Sequence, residues 1–529
     1  MDKELMNREV LCHVDTRQIQ RYMFRSNTML DTVGASDLMI HILDDAILHA
    51  LRTVDPPVPD DQFDFSLDPE GELPYFRNPS VQFQLITCQA GNAIFIVRTG
   101  ALAQKIIRSI SRYYLEHGRT LNVSAAAVEK TDYFGNDIFN LYRKLNAAKA
   151  ASDTLEPLGT LPVCIREHMT GEPVVGYDPI FGDPVSMSSR LRRQEARLRE
   201  NPVTMQDIHT SPGYDGKNYR AVIHADGNNI GITIGRILQE SVDYEDGIRT
   251  RRAIGQGLKA TMSRIMSRTM KDLEDYYHRV TGKNDGFEKE FLIVHVAGDD
   301  INCVCNASWV FPFFRFFYAN LKGEYVWKTD TIEVPLYICG GVAFVTEDNA
   351  YHPAFSLAEE CCSNAKKAAK ETCNLRNGLA GNWIDFQMLN NPNSQNLEML
   401  REQSYITTEG ISLLMRPYCL DPEADSREIS VRKLLNHIRV MKTLKLEPVQ
   451  NMMLRQSYLL GKENFKAFLA QMKSKGKDLK ALLGSPLYKD SEKQSHATWF
   501  DAAELLDFIP DDFVDLDSMT VGEDEEKSC

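Results

Sequence analysis

Two adjacent aspartates interrupt an otherwise apolar segment, FLIVHVAGDDINCVC, which runs from Phe291 to Cys305. The apolar residues on both sides of Gly298 predict two strands joined by a tight turn. Neighbouring carboxylates repel each other, and between two buried strands they need water, a cation or hydrogen-bond donors to compensate them. Asp299 and Asp300 therefore indicate either a surface turn, for which Gly-Asp is favourable, or a site for a divalent metal ion.

A third carboxylate lies at the end of an earlier predicted strand, YRAVIHADG, which ends at Asp226. From this strand the periodicity predicts two helices, the hairpin, a helix, a strand, a helix and a last strand, which is the element order of a ferredoxin-like α+β core. In such a core the first strand ends beside the hairpin, so Asp226 can approach Asp299 and Asp300. Three converging carboxylates suit one or two Mg²⁺ ions and predict phosphoryl transfer with a nucleoside triphosphate.

Two further features favour the binding of phosphates. In the segment DGNNIG, Gly227, Asn228 and Asn229 precede a predicted helix whose first N–H groups can bind triphosphate oxygens. Lys366, on the helix before the last strand, supplies a cation for the same phosphates. Each feature also has an ordinary structural interpretation, because Asn commonly caps helices and most lysines are exposed to solvent.

The first 150 residues repeat this order of elements. EVLCHVD predicts a strand ending at Asp15, two helices follow, VQFQLITCQAGNAIFIV predicts a hairpin, and a helix, a strand and a helix complete the series. The hairpin of this copy carries Gly91 and Asn92 where the second copy has its aspartates. We therefore predict a tandem of two related domains, the first of which binds no catalytic metal.

The whole chain is predicted to have five parts. They are a first domain (1–150), a connector (151–218), a catalytic second domain (219–390), a helical domain (391–500) and an acidic tail (501–529). The tail carries a net charge of −10 out of the chain's −14, and this composition is typical of a solvated terminus. Basic stretches at 190–199 and 462–480 leave nucleic acid open as a partner, although solvated helix faces have the same pattern.

Composition excludes several other classes of protein. No apolar run approaches the roughly 18 residues of a membrane span, and the N-terminus lacks the pattern of a signal peptide, so we expect a cytoplasmic protein. The 11 cysteines form no CxxC pair and are expected to be reduced core residues. Cys164 and His168 cannot by themselves make the four-ligand set of a zinc site, so no zinc is expected.

Four segments of the second domain, HADGNNIG, VAGDDINCV, LAEECCSNAK and WIDFQML, occur in that order. Together they resemble the catalytic palm domain of the large polymerase-cyclase subunit of type III CRISPR effector complexes, a relative of GGDEF cyclases. In the first domain, TRQIQRYMFRSNTMLDTVGASDLM resembles another segment of the same family. The resemblance covers about residues 8 to 390, and the helical domain stands in the place of the family's C-terminal helical domain.

The resemblance implies two tandem palm domains, the second of which joins ATP into a cyclic oligoadenylate or cyclic dinucleotide second messenger for antiviral defence. It implies Asp226, Asp299 and Asp300 as ligands of Mg²⁺ or Mn²⁺, and Lys366 as a triphosphate contact. Ser36, which follows Gly-Ala at a predicted helix start, is implied as a nucleotide contact from the noncatalytic palm. The alternatives are a scaffold subunit of an RNA-guided complex and a GGDEF-like cyclase that uses GTP, and an RNA or protein activator is left open.

The sequence departs from the family pattern in two places. The hairpin reads Ala297-Gly298 instead of Gly-Gly, so we expect a slightly more crowded backbone there. No HD nuclease domain precedes the first palm-like domain in the printed sequence, and we therefore expect no DNA cleavage by this chain.

Overall fold

The structure, a computed structural model, describes most of the 529 residues. These are residues 3–23, 25–26, 28–89, 91–151, 163–198, 205–213, 215–228, 230–241, 243–329, 332–372, 381–389, 396–421, 430–479 and 499–511.

The α-helices of the described residues include most of the helical segments predicted from the sequence. Within the predicted helical domain, residues 411–420 are the exception, because they form no helix and contain the short strand Tyr418–Cys419. They are α1 (Ile19–Met23), α2 (Met29–Thr53), α3 (Pro74–Arg77), α4 (Gly100–Tyr113), α5 (Phe134–Ala151), α6 (Met187–Ala196), α7 (Ile230–Glu240), α8 (Tyr244–Thr281), α9 (Val310–Leu321), α10 (Tyr351–Thr372), α11 (Leu397–Ser404), α12 (Val431–Thr443), α13 (Pro448–Leu459), α14 (Lys462–Ser474) and α15 (Phe500–Leu505).

The strands fall into two larger sheets and two short ribbons. They are β1 (Val10–Arg17), β2 (Phe63–Asp64), β3 (Phe83–Gln89), β4 (Asn92–Val97), β5 (Asn122–Glu129), β6 (Val174–Tyr177), β7 (Pro184–Ser186), β8 (Ser211–Pro212), β9 (Asn218–Gly227), β10 (Phe291–Ala297), β11 (Asp300–Asn306), β12 (Tyr325–Lys328), β13 (Glu333–Pro335), β14 (Ile338–Thr346), β15 (Trp383–Leu389) and β16 (Tyr418–Cys419). The predicted mixture of helices and sheets is therefore confirmed.

Two compact units divide the chain, and each is made of several segments. Unit 1 comprises Met1–Thr204, Asn229–Met262 and Tyr325–Pro335, and unit 2 comprises Met205–Asn228, Ser263–Glu324 and Leu336–Cys529. Unit 1 contains the sheet with the strand order β2-β3-β4-β1-β5. Unit 2 contains the sheet with the order β10-β11-β9-β14-β15-β16, with β8 paired to β9.

The two sheets share one internal order. In unit 1, the β3–β4 hairpin pairs with β1, and β1 pairs with β5 on its other side, all antiparallel. In unit 2, the β10–β11 hairpin pairs with β9, and β9 pairs with β14 on its other side, again all antiparallel. Buried apolar residues fill both central strands, since Val10, Leu11 and Cys12 of β1 and Ala221, Val222 and Ile223 of β9 are fully buried. The same inner order thus arises twice from similar strand sequences.

The basic stretch at 190–199 does not form the exposed positive face that its composition suggested. Arg192 and Arg193 of α6 are buried. Arg193 pairs with Asp31 at 2.8 Å and with Asp178 at 3.1 Å, and Arg197 pairs with the same Asp178 at 2.6 Å. The arginines therefore neutralise buried carboxylates of unit 1, and the expectation of a solvated or nucleic-acid-binding surface at this helix is wrong.

The start of the acidic tail is also not a solvated terminus. Helix α15 buries Asp501 (3% exposed) and Glu504 (1% exposed) in unit 2. Arg416 donates to Glu504 at 2.8 Å, and Arg455 donates to it at 3.2 Å. Charge counting missed this helix because its carboxylates are paired with arginines distant in the sequence. Residues 512–529 lie outside the described residues.

Two other expectations concern exposure. Cysteines of the described chain are free thiols and mostly buried, whereas Cys164 and His168 are exposed and so do not belong to the core. Among the described helices, none combines the length and the apolar composition needed to cross a membrane.

Close packing of α10 on β14 leads to a prediction for Gly341. A Cβ atom at this position would lie 2.0 Å from the carbonyl oxygen of Ala358 and 2.3 Å from the backbone nitrogen of Cys362, both on α10. Because backbone cannot yield as a side chain can, we expect Gly341→Ala to lower the free energy of unfolding by about 3 kcal/mol and to shift α10. Thermal denaturation measures the effect. Gly235→Ala on α7, where a Cβ meets nothing within 4 Å, is the control and should not destabilise the protein.

Candidate active site

Sheet register brings Asp226 and Asp300 side by side in unit 2. On β9 and β11, Ala225 pairs with Ile301 and His224 pairs with Asn302. Asp226 and Asp300 are each one residue further towards the same end of this pair of strands. Side chains two residues apart share a face of a strand, so the four polar residues lie on one face of the sheet.

The hairpin turn adds Asp299 to this end of the sheet. Ala297 pairs with Asp300, so Gly298 and Asp299 form a two-residue turn, and Gly298 has a φ of +64°. A side chain is disfavoured at such a φ, and glycine at the first turn position is the usual solution. The turn therefore fixes the backbone between the two neighbouring carboxylates, while Ala297 keeps its place in β10.

Lys366 lies against Asp226. It projects from α10, and its Nζ donates to Asp226 Oδ2 in a short ion pair between two side chains that are each about one-third exposed. Burial lowers the pKa of Lys366, but the Asp226 carboxylate more than offsets this effect, and the net pKa is raised. The lysine is therefore held in its charged form at the site.

Both hairpin aspartates hold their protons more tightly than an ordinary carboxyl. Burial, followed by the charge of Asp226, raises the pKa of Asp299. Burial also raises the pKa of Asp300, to about 6; His224 and Lys366 act to lower this pKa, and the charges of Asp226 and Asp299 act to raise it. The three carboxylates are thus close enough to repel one another, and this end of the sheet has a deficit of positive charge.

His224 and Asn302 complete the site and were missed from the sequence. His224 Nδ1 lies 2.9 Å from Asn302 Oδ1, and Asn302 Nδ2 donates to Asp300 Oδ1 at 3.1 Å. Both residues are buried, at 5% and 2% exposed. A usable signal existed, because both predicted first strands carry a histidine two residues before the aspartate, His13 in LCHVD and His224 in VIHAD.

The segment that follows Asp226 differs in detail from the expectation. Gly227 is the last residue of β9 and pairs with Ile338, and Asn228 is 6% exposed. The N–H of Asn228 donates to the Tyr337 carbonyl at 2.8 Å, and its side-chain amide donates to the Cys339 thiol at 3.6 Å. Asn228 is therefore engaged within the protein and does not present its N–H group to a ligand. Asn229 lies outside the described residues.

Ser36 does not lie at a helix start. Helix α2 begins at Met29 after the N-cap Thr28, so Ser36 is inside the helix, and it is 1% exposed. The small residues before it have a packing explanation, because a Cβ at Gly34 would lie 1.7 Å from the carbonyl oxygen of Arg192 on α6. The prediction of a helix start at Gly-Ala-Ser is wrong.

Unit 1 contains a reduced counterpart of the same site. Asp15 pairs with Asn92 across β1 and β4, and His13 Nε2 lies 3.1 Å from Asn92 Oδ1. Lys149, on α5, forms an ion pair with Asp15 at 2.5 Å. By register, Asn92 stands where unit 2 has Asp300. The counterpart site of unit 1 therefore keeps the carboxylate of Asp15 and its ion pair with Lys149.

The donor set of unit 2 suits Mg²⁺ or Mn²⁺, although the resting side chains are not arranged around an ion. Across the described residues, no group of three His, Cys, Asp or Glu side chains has the spacing of a formed metal centre. The Lys366 ammonium occupies the Asp226 oxygen to which a cation would bind. Carboxylate oxygens are the ligands that these hard ions prefer. Burial, together with the charges of neighbouring carboxylates, raises the pKa values of Asp299 and Asp300.

The pKa of Asp300 leads to a prediction about stability. A carboxyl whose folded pKa is raised binds its proton more tightly in the folded state, so its cost is absent below about pH 4 and complete above about pH 6. We expect Asp300→Asn, in the presence of EDTA, to be more stable than the wild type at pH 8, and the gain to shrink as the pH falls to 5. Since the side chain is 39% exposed, the gain at pH 8 should be on the order of 1 kcal/mol.

Chemical denaturation at pH 5 and pH 8 measures this difference. Asp348→Asn, at an exposed carboxylate of unit 2, is the control and should show no such pH dependence. A gain that is equal at both pH values would contradict the assigned origin of the effect.

Comparison with known proteins identifies distant structural similarities only. No protein-family profile matches the sequence, and none of the curated proteins matches it. Among solved structures, the chain is similar to a Csm1-Csm4 cassette in complex with cA4, with a TM-score of 0.48 and 13% identity over 94% of this chain and 69% of that chain. A Csm1-Csm4 cassette in complex with one ATP gives a TM-score of 0.47 and 13% identity, over 96% and 70% of the two chains.

A third structure is the Csm1-Csm4 subcomplex in the type III-A CRISPR-Csm interference complex. Its TM-score is 0.48 and its identity 14%, over 96% of this chain and 71% of that chain. These are proteins of the CRISPR effector class that the sequence motifs resemble.

Proposed function

We propose that this chain is a metal-dependent nucleotidyltransferase that joins ATP into a cyclic oligoadenylate or cyclic dinucleotide. The observation that carries the proposal is the meeting of Asp226, Asp299 and Asp300 with Lys366 at one end of the unit 2 sheet. Its support in the sequence is the ordered set of palm-like motifs that contain these residues.

Asp226, Asp299 and Asp300 would hold Mg²⁺ or Mn²⁺, which when bound offsets charge on a triphosphate and on its leaving group. In the reaction, a ribose hydroxyl oxygen of one nucleotide attacks the α-phosphorus of the next, and pyrophosphate leaves. Lys366 would exchange its contact with Asp226 for one with the triphosphate. The backbone positions of the carboxylates are fixed in advance by β9 and the hairpin, so binding would require only the side chains to turn and Lys366 to leave Asp226.

The shared strand order supports a second inference, that units 1 and 2 contain tandem palm-like domains of ferredoxin-like form. The first would be noncatalytic, because its counterpart site keeps Asp15 but has Asn92 in place of an aspartate. Such a pair would act in a cytoplasmic CRISPR-type antiviral system, with a protein partner or RNA as activator.

A role as a scaffold alone explains the site less well. A scaffold has no need to keep three mutually repelling carboxylates partly buried, and the raised pKa values of Asp299 and Asp300 mean that they cost stability at neutral pH. Groups that cost stability and persist in a cleft or turn are typical of functional sites. This observation favours the enzyme over the scaffold.

The test is incubation of the purified chain with each nucleoside triphosphate in turn, with Mg²⁺ or Mn²⁺ and with or without RNA, followed by mass spectrometry. We expect pyrophosphate release and adenylate oligomers or rings from ATP. Products from GTP alone would overturn the assignment of substrate. The absence of any product, in a protein that is folded and binds Mn²⁺, would overturn the assignment of an enzyme.

A further inference from the structure

We propose that His224 and Asn302 are positioning residues that orient the Asp300 carboxylate for a divalent cation. This inference deepens the proposed function and rests on it. It concerns two buried side chains that act through Asp300.

Their hydrogen bonds form a directed chain. Asn302 Nδ2 donates to Asp300 Oδ1 at 3.1 Å, which turns the amide oxygen of Asn302 towards His224. His224 Nδ1 lies 2.9 Å from that oxygen and 3.4 Å from Asp300 Oδ1, so an Nδ1–H donates to Asn302. The ring is held in place by an edge contact to Phe355, whose centroid distance of 5.4 Å is typical of aromatic pairs.

The chain satisfies one oxygen of Asp300 and fixes the carboxylate plane. Oδ1 accepts from Asn302, which would leave Oδ2 for the cation. Outer hydrogen bonds of this kind set the orientation of metal-binding carboxylates, and their loss typically weakens metal binding by about 10- to 100-fold.

Unit 1 supplies an internal comparison. In its sheet the position of Asn302 is taken by Ile94, which pairs with His13, and the position of Asp300 is taken by Asn92. His13 reaches Asn92 directly, at 3.1 Å. The bridging amide is thus present in the sheet that has the aspartate and absent from the sheet that lacks it. This pattern fits an amide whose task is to hold that aspartate.

Two near-isosteric variants separate a positioning role from simple packing. The amide nitrogen of His224→Asn can occupy the place of Nδ1, whereas that of His224→Gln occupies the place of Nε2. We expect His224→Asn to bind Mn²⁺ within about threefold of the wild type, and His224→Gln and Asn302→Leu to bind it about 10- to 100-fold more weakly. Electron paramagnetic resonance of free Mn²⁺, without nucleotide, measures the affinity, and thermal denaturation checks folding.

His13→Gln in unit 1 is the matched control and should leave Mn²⁺ affinity unchanged. Equal affinities in wild type, His224→Gln and Asn302→Leu would overturn the inference while leaving the proposed function intact, as would equal losses in His224→Asn and His224→Gln. If Asn302→Leu fails to fold, the comparison of His224→Asn with His224→Gln still tests the inference. A folded wild type that binds no Mn²⁺ would overturn both this inference and the proposed metal-dependent function.

Discussion

The double substitution Asp299→Asn and Asp300→Asn is expected to abolish nucleotide joining, with a loss of at least about a thousandfold in turnover. The two substitutions keep the size of the side chains and their ability to accept hydrogen bonds, but they remove two of the three charges that meet at the end of β9. The raised pKa values of the pair mean that their ionised forms oppose folding at neutral pH. We therefore expect the metal-free double variant to be as stable as the wild type or more so.

Melting temperatures with and without ligand distinguish the possible outcomes. Mn²⁺ together with ATP should raise the melting temperature of the wild type by mass action and leave that of the double variant unchanged. Continued synthesis of oligomeric or cyclic nucleotides by the folded double variant would show that the pair is a structural turn. Unfolding of the variant would have the same meaning, because it would assign the aspartates a role in stability.

Lys366→Gln is expected to change metal binding and nucleotide binding in opposite directions. In the resting protein the Lys366 ammonium is paired with Asp226, so it competes with any cation for that carboxylate. Its removal should strengthen the binding of Mn²⁺ alone by roughly 3- to 10-fold, since a competing positive charge is lost. It should also raise the KM for ATP by about 100-fold, because a charge-assisted contact to the triphosphate is lost.

Lys367→Gln provides the matched control for this experiment. Lys367 is the next residue of α10 and is exposed, so its substitution should alter neither quantity. Parallel losses of metal and nucleotide binding in Lys366→Gln would contradict the exchange and assign Lys366 to the support of Asp226 alone. Mn²⁺ titration and steady-state kinetics on the same preparations make the comparison direct.

Much of the fold could be predicted because the elements carry strong local patterns. Apolar periodicity and turn residues predict the strand that carries Asp226, the hairpin around Gly298 and the amphipathic α10. The start of α2 was misplaced by several residues because its true N-cap, Thr28, precedes a stretch with weak helical signals. Helix α15 was missed because its acidic residues have the composition of a solvated tail. Only the fold shows that Arg416 pairs with one of them.

Only the part of the candidate site that lies at strand ends could be predicted from the sequence. Carboxylates at the ends of β9 and the hairpin must be neighbours in any such sheet, so Asp226, Asp299 and Asp300 were accessible to sequence reasoning. The histidine two residues before each strand-end aspartate was a signal for His224, but its pairing with Asn302 depends on the register between β9 and β11. The contact between Lys366 and Asp226 likewise depends on how α10 lies on the sheet. Local sequence determines neither the register between these strands nor the packing of α10 on the sheet.

The ionic cluster around Glu504 constrains when unit 2 can reach its final form during synthesis. Arg416 is fully buried, stacks over Phe386 of β15 at 4.2 Å, and takes its countercharge from a residue 88 positions later in the chain. At ribosomal speeds this separation corresponds to a delay of about 4 to 18 s. Until α15 emerges, the arginine has no carboxylate from that helix, and burying it unpaired is unfavourable. The burial of Arg416 against Glu504 can therefore be completed only after α15 has been synthesised.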